Sequence, residues 1–90
     1  MPRLVTTTTY EKRLSLFKKK HPTLRNQYIK TITLLANNPV HPSLRLHRLK
    51  GKLETFYSVS INLKYRILID FIIRDDLIIL IDVGDHGLYE

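Results

Sequence analysis

Phe56-Tyr-Ser-Val-Ser-Ile-Asn62, Tyr65-Arg-Ile-Leu-Ile-Asp70 and Leu77-Ile-Ile-Leu-Ile-Asp-Val83 decide the fold. All three runs are rich in β-branched and aromatic residues, which fit a pleated, half-buried surface. The breaks between them, Leu63-Lys64 and Arg74-Asp75-Asp76, are the size of hairpin loops. The first run has period two, so Tyr57, Val59, Ile61 and Leu63 are expected on one face and Phe56, Ser58, Ser60 and Asn62 on the other. The runs over 65–73 and 77–83 are apolar on both faces, as expected of central strands covered on two sides.

Upstream of the sheet the period changes to that of a helix. Thr8 and Glu11 have capping-box spacing, and Tyr10, Leu14 and Phe17 then recur on one helical face. Lys18-Lys19-Lys20 places positive charge where it complements the helix dipole. His21-Pro22 breaks the chain, and proline suits the first turn of a second helix. Leu24, Tyr28, Ile32 and Leu35 supply the apolar face of that helix, and Asn37-Asn38-Pro39 ends it. Leu4-Val5-Thr6 fits a short first strand, and residues 40–53 read as an irregular or edge-strand approach. The expected architecture is α+β, in the order β-α-α-β-β-β. An N-terminal strand and a helical hairpin pack on a small, mostly antiparallel sheet.

Ninety residues suffice for one domain, taken as 1–90. The chain has no cysteine, which excludes disulfides and thiolate metal sites. It has no apolar run long enough to span a membrane and no secretory h-region, so a cytoplasmic location is expected, with no membrane partner. The net charge is +7. Residues 1–69 hold 14 of the 15 Lys and Arg but only two acids, Glu11 and Glu54. That asymmetry favours a polyanionic partner, nucleic acid first and an acidic protein second.

The chemistry-bearing residues flank the strands. His47 lies among Arg45, Arg48, Lys50 and Lys52. A histidine suits proton transfer near neutrality, although a solvated surface histidine is the plainer alternative. Arg66 sits in an otherwise apolar strand, where its guanidinium can clamp a phosphate or pair with Asp70 or Asp82. His86, bracketed by Gly84 and Gly87, and Tyr89 follow the last strand; a tail covering the core is the alternative there. The histidines at 21, 41, 47 and 86 lack metal-ligand spacing, and no phosphate-binding glycine loop occurs, so neither metal nor cofactor is expected.

Together these pieces resemble the RelE/ParE superfamily of type II toxin–antitoxin toxins. The resemblance covers nearly the whole chain: two helices, the basic Leu49-Lys50-Gly51 turn, Phe56-Tyr57-Ser58-Val59, Tyr65-Arg66-Ile67-Leu68, and a closing strand followed by Gly84-x-His86-x-x-Tyr89. It implies an mRNA interferase of the RelE-like or YafQ-like kind, working at the ribosome without a metal and held in check by a cognate acidic antitoxin. It also implies catalytic roles for His47, Arg66, His86 and Tyr89, and RNA contacts by Arg45, Arg48, Lys50, Lys52 and Lys64. In that scheme His86 is the general acid, His47 or a lysine the base, and Arg66 the phosphate clamp. The second histidine and the aspartate of the YafQ-like pattern fall near Ser60 and Lys64 and are not retained. The alternatives are a ParE-like poison of DNA gyrase that cuts nothing, or a catalytically inactive member.

Overall fold

The computed structural model describes residues 2–51, 55–72 and 76–85. The elements are β1 (Arg3–Thr6), α1 (Thr8–Lys20), a 3₁₀ turn (Pro22–Leu24), α2 (Arg25–Asn37), a second 3₁₀ turn (Pro42–Leu44), β2 (His47–Arg48), β3 (Tyr57–Ser60), β4 (Arg66–Ile72) and β5 (Leu77–Gly84). The five strands form one sheet in the order β1-β5-β4-β3-β2. β1 runs parallel to β5 and every other pairing is antiparallel. The expected α+β order is present, and the described part of the 40–53 stretch, residues 40–51, holds a 3₁₀ turn and a two-residue edge strand.

The core lies between the helices and one face of the sheet. Tyr10, Leu14 and Phe17 of α1, Leu35 of α2 and Leu44 meet Val59, Ile67, Ile69, Ile78, Leu80 and Val83. The spacing of the β5 residues breaks period two between Leu80 and Val83. A β-bulge explains it: Leu68 pairs with Asp82 and Ile69 with Leu80, so Ile81 is the extra residue. The bulge keeps both Leu80 and Val83 on the helix side despite their odd spacing.

Two local expectations shift. The N-cap is Thr7 rather than Thr8: its Oγ1 accepts the Tyr10 N–H at 3.0 Å. Glu11 then sits one position too late for a reciprocal capping box, and acts only as first-turn negative charge. Leu63, expected on the face shared by Tyr57, Val59 and Ile61, is 79% exposed because β3 ends at Ser60. Asn62 ends the alternation: its Oδ1 accepts the backbone N–H groups of Lys64 and Tyr65, both at 2.9 Å, and its side chain donates to Gln27 Oε1 of α2 at 2.8 Å. The side-chain bonds substitute for strand pairing and turn the chain.

α1 and α2 are joined through Tyr10 and Tyr28, whose hydroxyls meet at 2.6 Å. Tyr10 is fully buried, and burial pushes its phenol pKa far up, reinforced by Tyr28. Burial raises that of Tyr28 as well. The two losses differ. Tyr28→Phe strands the Tyr10 hydroxyl in the core and is expected to cost about 1–3 kcal/mol. Tyr10→Phe leaves the half-buried Tyr28 hydroxyl within reach of water and is expected to cost less. Urea unfolding of the two variants checks that order. Because both phenols are raised above the ordinary value of 10.0, their stabilisation is complete below pH 10 and is lost as the pH climbs above it. The wild type is therefore expected to lose stability above that pH more steeply than the double phenylalanine variant.

Candidate functional site

β3 and β4 divide their side chains between two faces. Val59 and Ile67 pair in register and point at the helices, so Ser58, Ser60, Arg66 and Leu68 project from the opposite face. His47 joins that face because it is the register partner of Ser58. Two rows cross the sheet there: His47, Ser58 and Leu68 in one, Ser60, Arg66 and Gly84 in the other. From ideal strand spacings, the backbones of His47 and Arg66 lie about 12 Å apart. An imidazole and a guanidinium at that separation can reach opposite sides of one phosphodiester.

His47 is exposed, and its ring is oriented. Nδ1 lies 3.1 Å from the Arg45 carbonyl oxygen. A carbonyl only accepts, so in the neutral ring Nδ1 carries the proton and Nε2 keeps its lone pair. Arg45 holds its carbonyl there from a left-handed backbone conformation, φ 49°, at the end of the second 3₁₀ turn. Such a conformation is uncommon for a residue with a Cβ. The arrangement presents a basic nitrogen to solvent on a short edge strand.

Arg66 is partly buried at the start of β4. Its Nη1 donates to Ser60 Oγ at 2.6 Å, while its Nε is buried without a hydrogen-bond partner among the described residues. It pairs with neither Asp70 nor Asp82; Arg13 of α1 takes Asp82, at 2.9 Å. The ion-pair reading of Arg66 is thereby replaced by a guanidinium anchored at one nitrogen and unsatisfied at another.

The basic residues named from the sequence are distributed. Arg45 and Lys50 are exposed on either side of β2. Arg48 is the register partner of Tyr57, which packs against the core, so it occupies the face opposite His47. Lys64 is exposed and lies over the Tyr65 ring, 5.5 Å from its centroid, while Tyr65 packs with Phe17 and His21 on the helix side. Lys52, His86 and Tyr89 lie outside the described residues. Among the described residues no group of three or more His, Asp or Glu is placed to hold a metal, and no helix is long and apolar enough to cross a membrane. A cleft of about 240 Å³ opens away from His47, between α1 and the end of β5, bounded by Arg13, Lys20, His21, Tyr65 and Val83.

Ser60, which the sequence marks only as standing where the YafQ-like pattern has its second histidine, is a partner of Arg66. The signal was there: a hairpin centred on Leu63 places residues 60 and 66 opposite each other. Ser58 lies beside it, fully buried, with its hydroxyl unpartnered among the described residues.

No family model and no curated relative matches the chain. Solved structures do. YafQ from Escherichia coli superposes with a TM-score of 0.81 over 100% of both chains at 18% identity. YafQ in its complex with DinJ gives 0.78 over 99% of this chain and 98% of that one, at 18% identity. The YoeB/ParE toxin from Agrobacterium tumefaciens gives 0.74 over 96% and 99%, at 16% identity. The fold expected from the sequence is therefore shared with these toxins.

The ring orientation makes a prediction. In long-range proton–nitrogen spectra, neutral His47 is expected to show a protonated Nδ1 and a bare Nε2; a predominant Nε2–H tautomer excludes the Arg45 carbonyl bond.

Proposed function

We propose that this chain, which folds as the RelE/ParE-type toxins do, is the toxin of a type II toxin–antitoxin pair and acts as a metal-independent endoribonuclease on mRNA at the ribosome. The observation that carries this reading is the pairing of roles on one sheet face. An exposed histidine oriented through Nδ1 stands across from an arginine whose Nε has no hydrogen-bond partner among the described residues. RNA cleavage through its own 2′-hydroxyl needs those two functions.

In this mechanism Nε2 of His47 accepts the 2′-hydroxyl proton, and the 2′-oxygen attacks the adjacent phosphorus. Arg66 offsets the charge that develops on the phosphorane oxygens. His86 gives a proton to the departing 5′-oxygen, leaving a 2′,3′-cyclic phosphate and a 5′-hydroxyl. Tyr89 stacks on a base, and Arg45, Arg48, Lys50, Lys52 and Lys64 follow the phosphate backbone. Geometry supports the first two roles; the rest stand on the resemblance.

The partner that restrains the toxin is an acidic antitoxin. Two observations support it: the concentration of positive charge in residues 1–69, and the fold shared with YafQ, which is known in a complex with DinJ. An acidic segment would discharge the basic surface and slow RNA encounter together.

Induced expression in a bacterium, with mRNA 5′ ends mapped, tests the reading. Growth arrest with new ends is expected for the wild type. His47→Ala and Arg66→Ala should each lower cleavage by about 10²–10⁴-fold, the usual contribution of a positioned acid, base or charge stabiliser. Arrest without new ends, unchanged in both variants, would replace the nuclease with a gyrase poison.

A further inference from the structure

The Ser60–Arg66 contact has a direction. A guanidinium has two edges suited to a bidentate oxyanion: Nη1 with Nη2, and Nε with Nη2. Ser60 Oγ occupies Nη1 at 2.6 Å, and no described residue takes Nε. Ser60 is only 7% exposed. It stands opposite Arg66 in the β3–β4 ladder, so both Cα positions are set by the sheet. The hydroxyl therefore holds Nη1 and fixes the rotation of the guanidinium plane; Nε is closed off from solvent, so an outside anion meets the guanidinium at its partly exposed outer end.

We infer that Ser60 is a positioning residue, which holds Arg66 so that the outer end of its guanidinium meets a non-bridging oxygen of an RNA phosphodiester. The inference rests on the nuclease reading and deepens it. Ser60 touches no substrate and donates nothing to it; its hydroxyl turns toward Arg66 as an acceptor. Ser58, two residues back on the same face, has no such role, being fully buried with a hydroxyl that has no described partner. It serves as an internal control of equal chemistry.

The test uses a short fluorescent RNA carrying 2′-O-methyl groups, which binds but cannot be cut, read by anisotropy on the full chain. Thermal melting of each variant checks folding. Ser60→Ala is expected to weaken binding by about 10-fold, the loss of one hydrogen bond to a charged group. Ser60→Thr, which keeps the oxygen, should bind within about twofold of the wild type, and Ser58→Ala should not change binding. In an Arg66→Lys background Ser60→Ala should add nothing, because the group it positions is gone. Wild-type binding that survives Ser60→Ala intact overturns the role of Ser60 and leaves the nuclease reading in place. Absence of wild-type binding to this RNA, in the presence or absence of ribosomes, overturns both. Equal losses in Ser60→Ala and Ser60→Thr, or additive losses with Arg66→Lys, reduce Ser60 to a packing residue.

Discussion

The whole arrangement depends on the two-sided burial of β4. Ile67 and Ile69 must reach the helices, while Leu68, 5% exposed, is covered on the other side. A register slip of one residue in this strand would send both isoleucines away from the core and drive Arg66 into it. The hydrophobic requirement of the core thus holds the arginine on the outer face. The site is a consequence of how the core is packed.

β4 and β5 would lose that register without the bulge at Ile81. Leu80 and Val83 are three residues apart and still line the same core, because the extra residue is absorbed opposite Leu68. The parallel pairing of β1 covers β5 only from Leu77 to Leu80. Beyond it, α1 approaches the strand, and Arg13 fastens it through Asp82 at 2.9 Å. Both residues are partly solvated, so the contact orients the helix more than it stabilises it. The stronger link within the helical layer is Tyr10 with Tyr28, where a buried hydroxyl is satisfied by a half-buried one.

The outer face combines rigid and strained parts. His47 rides on a two-residue edge strand, with its ring held by a carbonyl that a left-handed arginine presents. Arg66 belongs to a central strand and is tethered by a buried serine. The two candidate groups therefore differ in how they are held: an exposed histidine on an edge strand, oriented by one carbonyl, and a cation tethered within a central strand.

Composition and local pattern were enough to order the elements. The helical faces of Tyr10-Leu14-Phe17 and Leu24-Tyr28-Ile32-Leu35, the stop at Asn37-Asn38-Pro39 and the alternation of Tyr57 to Ser60 depend on contacts close in sequence, where period and side-chain type suffice. His47 and Arg66 stood out as candidates in the sequence, since a histidine in a basic run and an arginine in an apolar strand are exceptions to their surroundings. Pairings between distant residues were not legible in this way. The bulge at Ile81, the opposite faces taken by His47 and Arg48, the bond from the Arg45 carbonyl to His47 and the capture of Asp82 by Arg13 all depend on register across strands or on packing between layers. The sequence by itself determined the order of the helices and central strands and singled out candidates for chemistry. Only the tertiary structure decided which of them share a face, because that choice is made by the cooperative burial of Val59, Ile67, Ile69, Ile78, Leu80 and Val83 against the helices.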